Sequence, residues 1–251
     1  MTILVTGGGR GIGRAIALAF AGPGRRVAIA ARTKTQLDET AAAIRAQGGE
    51  AIVLQVDVTD ERAVEAAYAD LRRMTDRVDI LVNNAGAGGG QPIDKTDTAS
   101  WRRIVDTNVW GMFLMTRQAT PLMADGGRIV NLSSVLGRFG VPGYTAYCAA
   151  KHAVIGFTRA LALELVDRGI TVNAICPGWV ETDMAAQGMQ LAADALGITF
   201  DAFRKLALDA VPIKRIIQPD EVANLVKFLA SPEAAAITGQ TYNICGGQVM
   251  S

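Results

Sequence analysis

The chain has 251 residues, of which 50% are hydrophobic, and a formal net charge of +1. That length suits one α/β domain, residues 1–251, with a sizeable core, and the near-neutral charge gives no footprint for nucleic acid or a membrane surface. The apolar runs are broken before they could span a bilayer, and Cys148, Cys176 and Cys245 lack metal or redox spacing, so no metal is expected.

Taken in order, apolar runs near 2–6, 27–31, 51–56, 79–84, 127–133, 170–176 and 241–245 alternate with alanine-rich helical patterns. The alternation predicts a doubly wound parallel sheet of about seven strands with helices on both faces. The first strand, Ile3-Leu4-Val5, runs into Thr6-Gly7-Gly8-Gly9-Arg10-Gly11-Ile12-Gly13 and then a helix. Strand, glycine turn and helix together are the context that a dinucleotide site requires, with the pyrophosphate on free N–H groups at the helix start; a structural loop is the other reading of the turn alone. Gly7 would allow the tight turn, Gly11 the approach of backbone to the pyrophosphate, and Gly13 the packing of helix on strand. A strand this early leaves no room for a leader segment, and with unpaired cysteines a cytoplasmic location is expected.

The second strand ends Ala28-Ile29-Ala30-Ala31, and Arg32-Thr33-Lys34 follow. An NAD site places a carboxylate here, on the ribose hydroxyls. This chain has none. Arg32, joined by Arg10 from the glycine turn, suits planar recognition of a 2′-phosphate, so the charge pattern predicts NADP(H). Asp57-Val58 close the third strand, where Asp57 is also placed to serve the start of the next helix. Asn83-Asn84-Ala85-Gly86 close the fourth and open a glycine run, 86–90; Asn108 lies in VDTNVWG, and Ser133-Ser134 follow the fifth.

Residues 145–168 read as one long helix that projects Tyr147 and Lys151 from one face at i and i+4. An ammonium beside a phenol is expected to draw its pKa down from about 10, and Ser134 could hold a carbonyl or alcohol oxygen against it. His152, the only histidine, reads as helix packing. Residues 183–217 are too long for an ordinary connection and read as a helical lid, with helices at 185–195 and 199–209 joined at Gly197. Phe200 and Phe203, with Trp179 and Val135-Leu136, point to a roomy apolar pocket. All the strand-end motifs share the carboxyl side of the sheet, where ligands bind.

In these residues the chain resembles the short-chain dehydrogenases/reductases over essentially its whole length. The motifs are Thr6 to Gly13, Asp57-Val58, Asn83 to Gly86, Asn108, Ser134, Tyr147 with Lys151, and Pro177-Gly178 with Thr182, in that order. The resemblance implies a Rossmann-like fold and hydride transfer between nicotinamide and a carbonyl or secondary alcohol. Tyr147 would be the acid/base, Ser134 the holder of the substrate oxygen, Lys151 a partner that also binds the nicotinamide ribose, and Asn108 the holder of a relay water. Asp57 would accept from the adenine amino group with Val58 against the ring, and Asn84, Ala85 and Gly86 would line the adenosine ribose. Backbone at Val180 with Thr182 would secure the carboxamide, and Ile12 and Thr33 complete the cofactor contacts. A homo-oligomer, most simply a homotetramer, is also implied, with Val105, Met112, Met115, Val154, Phe157, Leu161 and the last strand as apolar surface.

Two small-molecule substrates fit this resemblance: a bulky cyclic, aromatic or polyketide-like ketone, and a 3-oxoacyl thioester of a carrier protein or coenzyme A. An acidic carrier calls for basic residues at the mouth. The turn Met123-Ala124-Asp125-Gly126-Gly127 is acidic instead, although Arg168 is available. The long lid, and a tail from Asn243 to Met250 similar to that of aromatic polyketide ketoreductases, favour the free ketone. A regulator that binds NADP(H) without turnover is the reading of another class. Such proteins lose the tyrosine or lysine, and this chain keeps all four residues.

Overall fold

The computed structural model of the chain describes residues 1–250. Seven parallel strands form one sheet in the order β3-β2-β1-β4-β5-β6-β7. They are β1 (Thr2–Thr6), β2 (Arg26–Ala31), β3 (Glu50–Gln55), β4 (Val78–Asn83), β5 (Met123–Leu132), β6 (Thr171–Pro177) and β7 (Thr241–Ile244). Each falls where β-branched runs predict it, except that β5 begins at Met123 and takes in the residues expected as a turn, 123–127. The strand order reverses direction between β1 and β4, which opens a crevice at their carboxyl ends.

Strand periodicity decides which residues face which helices. Ile3 and Val5 join a core with Val27, Ile29, Ile80 and Val82. It is closed by α1 (Gly11–Ala19), α2 (Lys34–Ala46) and α9 (Pro219–Leu229). Leu4, between them, points to the other face with Ala28, Leu81, Ile129 and Val172. That face is covered by α3 (Glu61–Met74), α5 (Gly111–Ala119) and α6 (Thr145–Glu164). Both faces of the sheet are covered, and the asparagines it buries, Asn83, Asn131 and Asn173, are each hydrogen-bonded.

Two helical expectations are adjusted. The helix expected over 145–168 stops at Glu164, and a tight turn at Val166–Arg168 ends in Gly169 with φ 63°. The run from α4 (Thr98–Val105) into α5 is continuous, but Asp106–Trp110 between them form a π-helical turn. Beyond β6, α7 (Asp183–Leu196) and α8 (Phe200–Asp209) are joined at Gly197, φ 67°. Thr182 and Thr199 cap them through their side chains. No helix among the described residues is long and apolar enough to cross a membrane.

Candidate active site

Ser134, at the tip of β5, hydrogen-bonds the Tyr147 hydroxyl from α6. One turn along α6, the Lys151 ammonium donates to the Leu132 carbonyl at 2.8 Å and lies 5.5 Å from the centre of the Tyr147 ring. Lys151 is only 5% exposed. Gly86 closes the third side: a Cβ there would stand 2.9 Å from Asn108 Oδ1 and 3.7 Å from Lys151 Nζ. The four residues expected to act together are thus brought to one point, with glycine keeping open the space between two of them.

The electrostatics differ from the expectation. Burial pushes the Tyr147 phenol up to about 12, a rise that the Ser134 hydrogen bond only partly offsets. Burial also pulls the Lys151 ammonium down to about 8. The lysine was expected to draw the phenol towards neutrality, but its ammonium is turned to a backbone carbonyl and desolvation of both groups wins.

Asn108 sits in the π turn. Its amide donates to Ala87 O at 2.7 Å and Ile104 O at 2.8 Å, while Oδ1 is buried and has no partner among the described residues. A buried acceptor left open is costly unless something fills it, and it faces Gly86 and Lys151.

The glycine turn has the geometry of an anion cradle. Gly7 and Gly11 take φ of 66° and 53°, open to glycine without strain. A Cβ at Gly13 would lie 2.2 Å from Gly7 O, so α1 can begin this close to the turn only with glycine. No side chain caps α1, which leaves its first N–H groups for a ligand. Ile12 packs on the core beneath. The start of α2 likewise has Thr33 at its cap with no side-chain hydrogen bond. A dinucleotide with a 2′-phosphate fits these residues: two uncapped helix starts, with Arg10 and Arg32 beside them.

Both arginines have carboxylate partners, however. Arg10 pairs with Asp183 at 2.8 Å and Arg32 with Asp57 at 3.8 Å. An acid therefore does stand near Arg32, brought by the fold rather than the strand end. Both pairs are solvent-exposed and weak enough to exchange for a phosphate.

Other expected contacts are redistributed. Asp57 Oδ1 accepts from both the N–H and the hydroxyl of Thr59, while Asp60 caps α3. Val58 is turned into the core, where Gly111 leaves room for it. The Asn84 amide bonds Thr6 O at 2.9 Å, lacing the ends of β1 and β4 together. Ala85 donates its N–H to the Thr6 hydroxyl. Near Val180, Ile217 pairs with Trp179 O and Glu181 N–H, so the Val180 N–H points the other way. Thr182 donates to Val180 O, and its methyl lies 3.3 Å from where a Cβ would stand on Gly11.

Two hydroxyls at strand ends were not foreseen. Thr6 accepts from Asn84 and Ala85 N–H, both at 2.9 Å. Ser133 donates to Lys151 O at 2.8 Å, so Lys151 is tied to the tip of β5 at both its ammonium and its carbonyl. The signal in each case is a small hydroxyl residue that ends a buried strand.

A family model described as enoyl-(acyl carrier protein) reductase matches residues 7–248. The chain is 42% identical over 251 residues to a 3-oxoacyl-(acyl-carrier-protein) reductase of Synechocystis sp., covering 98% of this chain and 96% of the relative. The chain belongs to the short-chain dehydrogenase/reductase family. It is an oxidoreductase of the carbonyl–alcohol type. Two solved members of that short-chain dehydrogenase/reductase fold superpose closely. One is a variant of actinorhodin polyketide ketoreductase with NADPH, with TM-score 0.93 and 41% identity, covering 98% of this chain and 96% of that one. The other is levodione reductase, with TM-score 0.92 and 32% identity and the same coverage.

Proposed function

We propose that this chain is an NADP(H)-dependent reductase of bulky cyclic, aromatic or polyketide-like ketones, acting also in reverse on the secondary alcohols. The observation that carries the reading is the meeting of Ser134, Tyr147, Lys151 and Asn108 at the carboxyl ends of β4 and β5, beside a glycine cradle. Relatives named as a polyketide ketoreductase with NADPH and a levodione reductase support the cofactor and the ketone class.

NADP(H), when bound, supplies or takes the hydride; the chain arranges the rest. Ser134 holds the substrate oxygen beside the Tyr147 hydroxyl. Tyr147 is protonated at neutral pH, as any phenol is, and burial raises its pKa further, to about 12; the phenol is placed to give its proton to an alkoxide, as reduction requires. Lys151, whose ammonium yields its proton more readily than an exposed lysine, restores it, and the open Asn108 Oδ1 is placed to hold a water between Lys151 and solvent. Oxidation needs the phenolate and is therefore favoured by higher pH.

The 3-oxoacyl thioester reading keeps support from the Synechocystis relative. Against it, Arg168 is engaged: it pairs with Asp125 at 3.1 Å and donates to Thr120 O at 3.0 Å, as well as to Met123 O. Asp125, within β5, and two backbone carbonyls thus hold the base that could have met a carrier. Nor do the aromatic residues line an open pocket; Trp179 and Phe203 meet edge to face at 6.5 Å inside a small core shared by α7 and α8. We infer that α7 and α8, within 183–217, form a lid that moves as one packed unit.

We further propose a cytoplasmic homotetramer. Met112, Met115, Val154 and Leu161 are buried within the chain itself, so the apolar surface for assembly falls instead to exposed Trp101, Trp110 and Leu163. A panel of cyclic ketones, alcohols and a 3-oxoacyl thioester, run with both nicotinamide cofactors in both directions, tests the reading. Turnover of ketones with NADPH is expected; cofactor binding without turnover of any of them would establish the regulator instead.

A further inference from the structure

A cavity of about 260 Å³ opens beside the catalytic group, between the glycine run 88–90, α4, the start of α6 and α7. It adjoins the chemistry through Ala146, which precedes Tyr147 and packs with it and Ile104. Its polar walls are hydroxyls and amides: Gln91, Thr96, Ser100, Thr145 and Gln187. One lining residue is charged, Arg103, and no carboxylate lines the cavity with it.

Arg103 is set in place by the same loop that Asn108 grips. Asn108 donates to Ala87 O at 2.7 Å, and Arg103, one and a half turns earlier, donates through Nη2 to Gly88 O at 3.2 Å. The loop backbone at Gly89, φ 142°, is one that favours glycine, and a Cβ on Gly90 would lie 2.9 Å from the Tyr144 ring. A guanidinium has five N–H donors, and the carbonyl uses one edge of it. Arg10, Arg32, Arg168, Arg204 and Arg215 each pair with a carboxylate. Arg103 forms no ion pair among the described residues; its one bond is to a neutral carbonyl.

We propose that the substrate of this chain carries an oxyanion, a carboxylate or a phosphate, at the end remote from the reacting carbonyl, and that Arg103 is the residue that selects it. The inference rests on the ketone reductase reading above. The glycine loop fixes the guanidinium at the cavity wall, so its free donors can meet a planar oxyanion in two places at once. An uncharged ketone would leave those donors to water and gain nothing from them. Two sources share this chemistry: an acid group on a free ketone, and the phosphate of a pantetheine arm.

The experiment compares kcat/KM with NADPH for a fused bicyclic ketone bearing a carboxylate and for its methyl ester. It is run on the unaltered protein, Arg103→Gln, Arg103→Glu and Arg103→Lys. A second arm compares acetoacetyl coenzyme A with the phosphate-free N-acetylcysteamine thioester. The unaltered protein is expected to favour the anionic member of at least one pair by about tenfold, Arg103→Gln to erase the preference, Arg103→Glu to invert it and Arg103→Lys to keep part of it. Turnover of the neutral member should stay within about twofold throughout, since Arg103 takes no part in the chemistry. Preference in the first pair identifies a carboxylate, in the second a phosphate. Equal use of anionic and neutral substrates by the unaltered protein, or a preference that survives Arg103→Glu, overturns the proposal. Collapse of neutral turnover in the glutamine and lysine variants alike would assign Arg103 to holding the loop and overturn it too. If no ketone of either arm is reduced, the reductase reading fails, and this inference with it.

Discussion

The tip of β5 and the glycine turn contribute to the same crevice and are built on opposite terms. At the tip of β5, Lys151 is 5% exposed and held by two hydrogen bonds, Ser134 is 8% exposed, and Asn108 is 2% exposed. At the glycine turn, the charged groups are Arg10 and Arg32, whose side chains are 58% and 75% exposed and whose partners, Asp183 and Asp57, are 69% and 42% exposed. Buried groups cannot exchange partners with water, so their geometry is fixed before any ligand arrives, which suits groups that must act on a transition state. Exposed ion pairs hold by about 1 kcal/mol or less and trade partners freely, which suits a cofactor that enters and leaves. Preorganisation is spent on the proton, and adaptability on the phosphate.

The sharpest way to break this contrast is at Tyr147. Tyr147→Phe removes the proton donor without disturbing its packing, so turnover should fall by about 100-fold or more while NADPH titration stays near that of the unaltered protein. A variant retaining a tenth of the original rate would show that the buried group is not the acid. On the exposed side, Arg32→Asp should lower the NADPH-to-NADH ratio of kcat/KM by at least about tenfold, because repulsion replaces attraction at the 2′-phosphate. Steady-state kinetics with each cofactor checks it, and an unmoved ratio would shift the weight to Arg10 and Thr33.

A smaller effect is expected at Ser133. Ser133→Ala removes one tie between β5 and α6, at a cost of about 1 kcal/mol in stability, measurable by denaturant titration. Turnover should drop by about fivefold, in line with a change of that size, with the KM for NADPH nearly unaltered. An unchanged kcat would mean that the Leu132 tie alone positions Lys151.

The last test reads burial directly. The Lys151 ammonium is held near 8 in the folded chain, below the ordinary 10.5. Below about pH 8 the lysine is charged in both folded and unfolded chains, and the cost of burying that charge is present in full. Between about 8 and 10.5 the folded chain has lost the proton that the unfolded chain keeps, so that cost disappears as pH rises. In the ligand-free protein, Lys151→Met should therefore gain Tm relative to the unaltered chain near pH 7 and lose that advantage by pH 10, a difference of a few degrees by thermal melts. A Tm difference that does not vary with pH would place the ammonium in water.

Much of this was legible in the sequence, for identifiable reasons. β-branched runs and glycine turns are local signals, so all seven strands and the anion cradle could be located before any coordinates. The catalytic quartet could be named because Tyr147 and Lys151 lie one helical turn apart and the ordered motifs around them resemble those of the short-chain dehydrogenases/reductases. What was not legible depends on where the fold aims a side chain. Val58 turns inward because Gly111 leaves a hole for it. The Asn84 amide laces β4 to β1 through the Thr6 carbonyl. Phe203 meets Trp179 instead of a substrate because Gly197 folds α8 back onto α7. The sense of the Tyr147 shift was missed for the same reason: spacing places the lysine near the phenol but does not show the Leu132 carbonyl that claims its ammonium.

The π turn at Asp106–Trp110 has a consequence for how this chain can change over generations. A π turn is an α-helix carrying one surplus residue. Losing any one residue of the five would restore a regular helix, at no cost to propensity or packing upstream. Positions beyond it would keep their faces, because the surplus residue is already absorbed within the turn, but the Ile104 carbonyl that the Asn108 amide uses would return to the helix backbone. Substitutions can accumulate along this helix one at a time, whereas a single-codon deletion within it would spare the core and unseat Asn108. The length of this segment is therefore expected to be inherited more strictly than its composition.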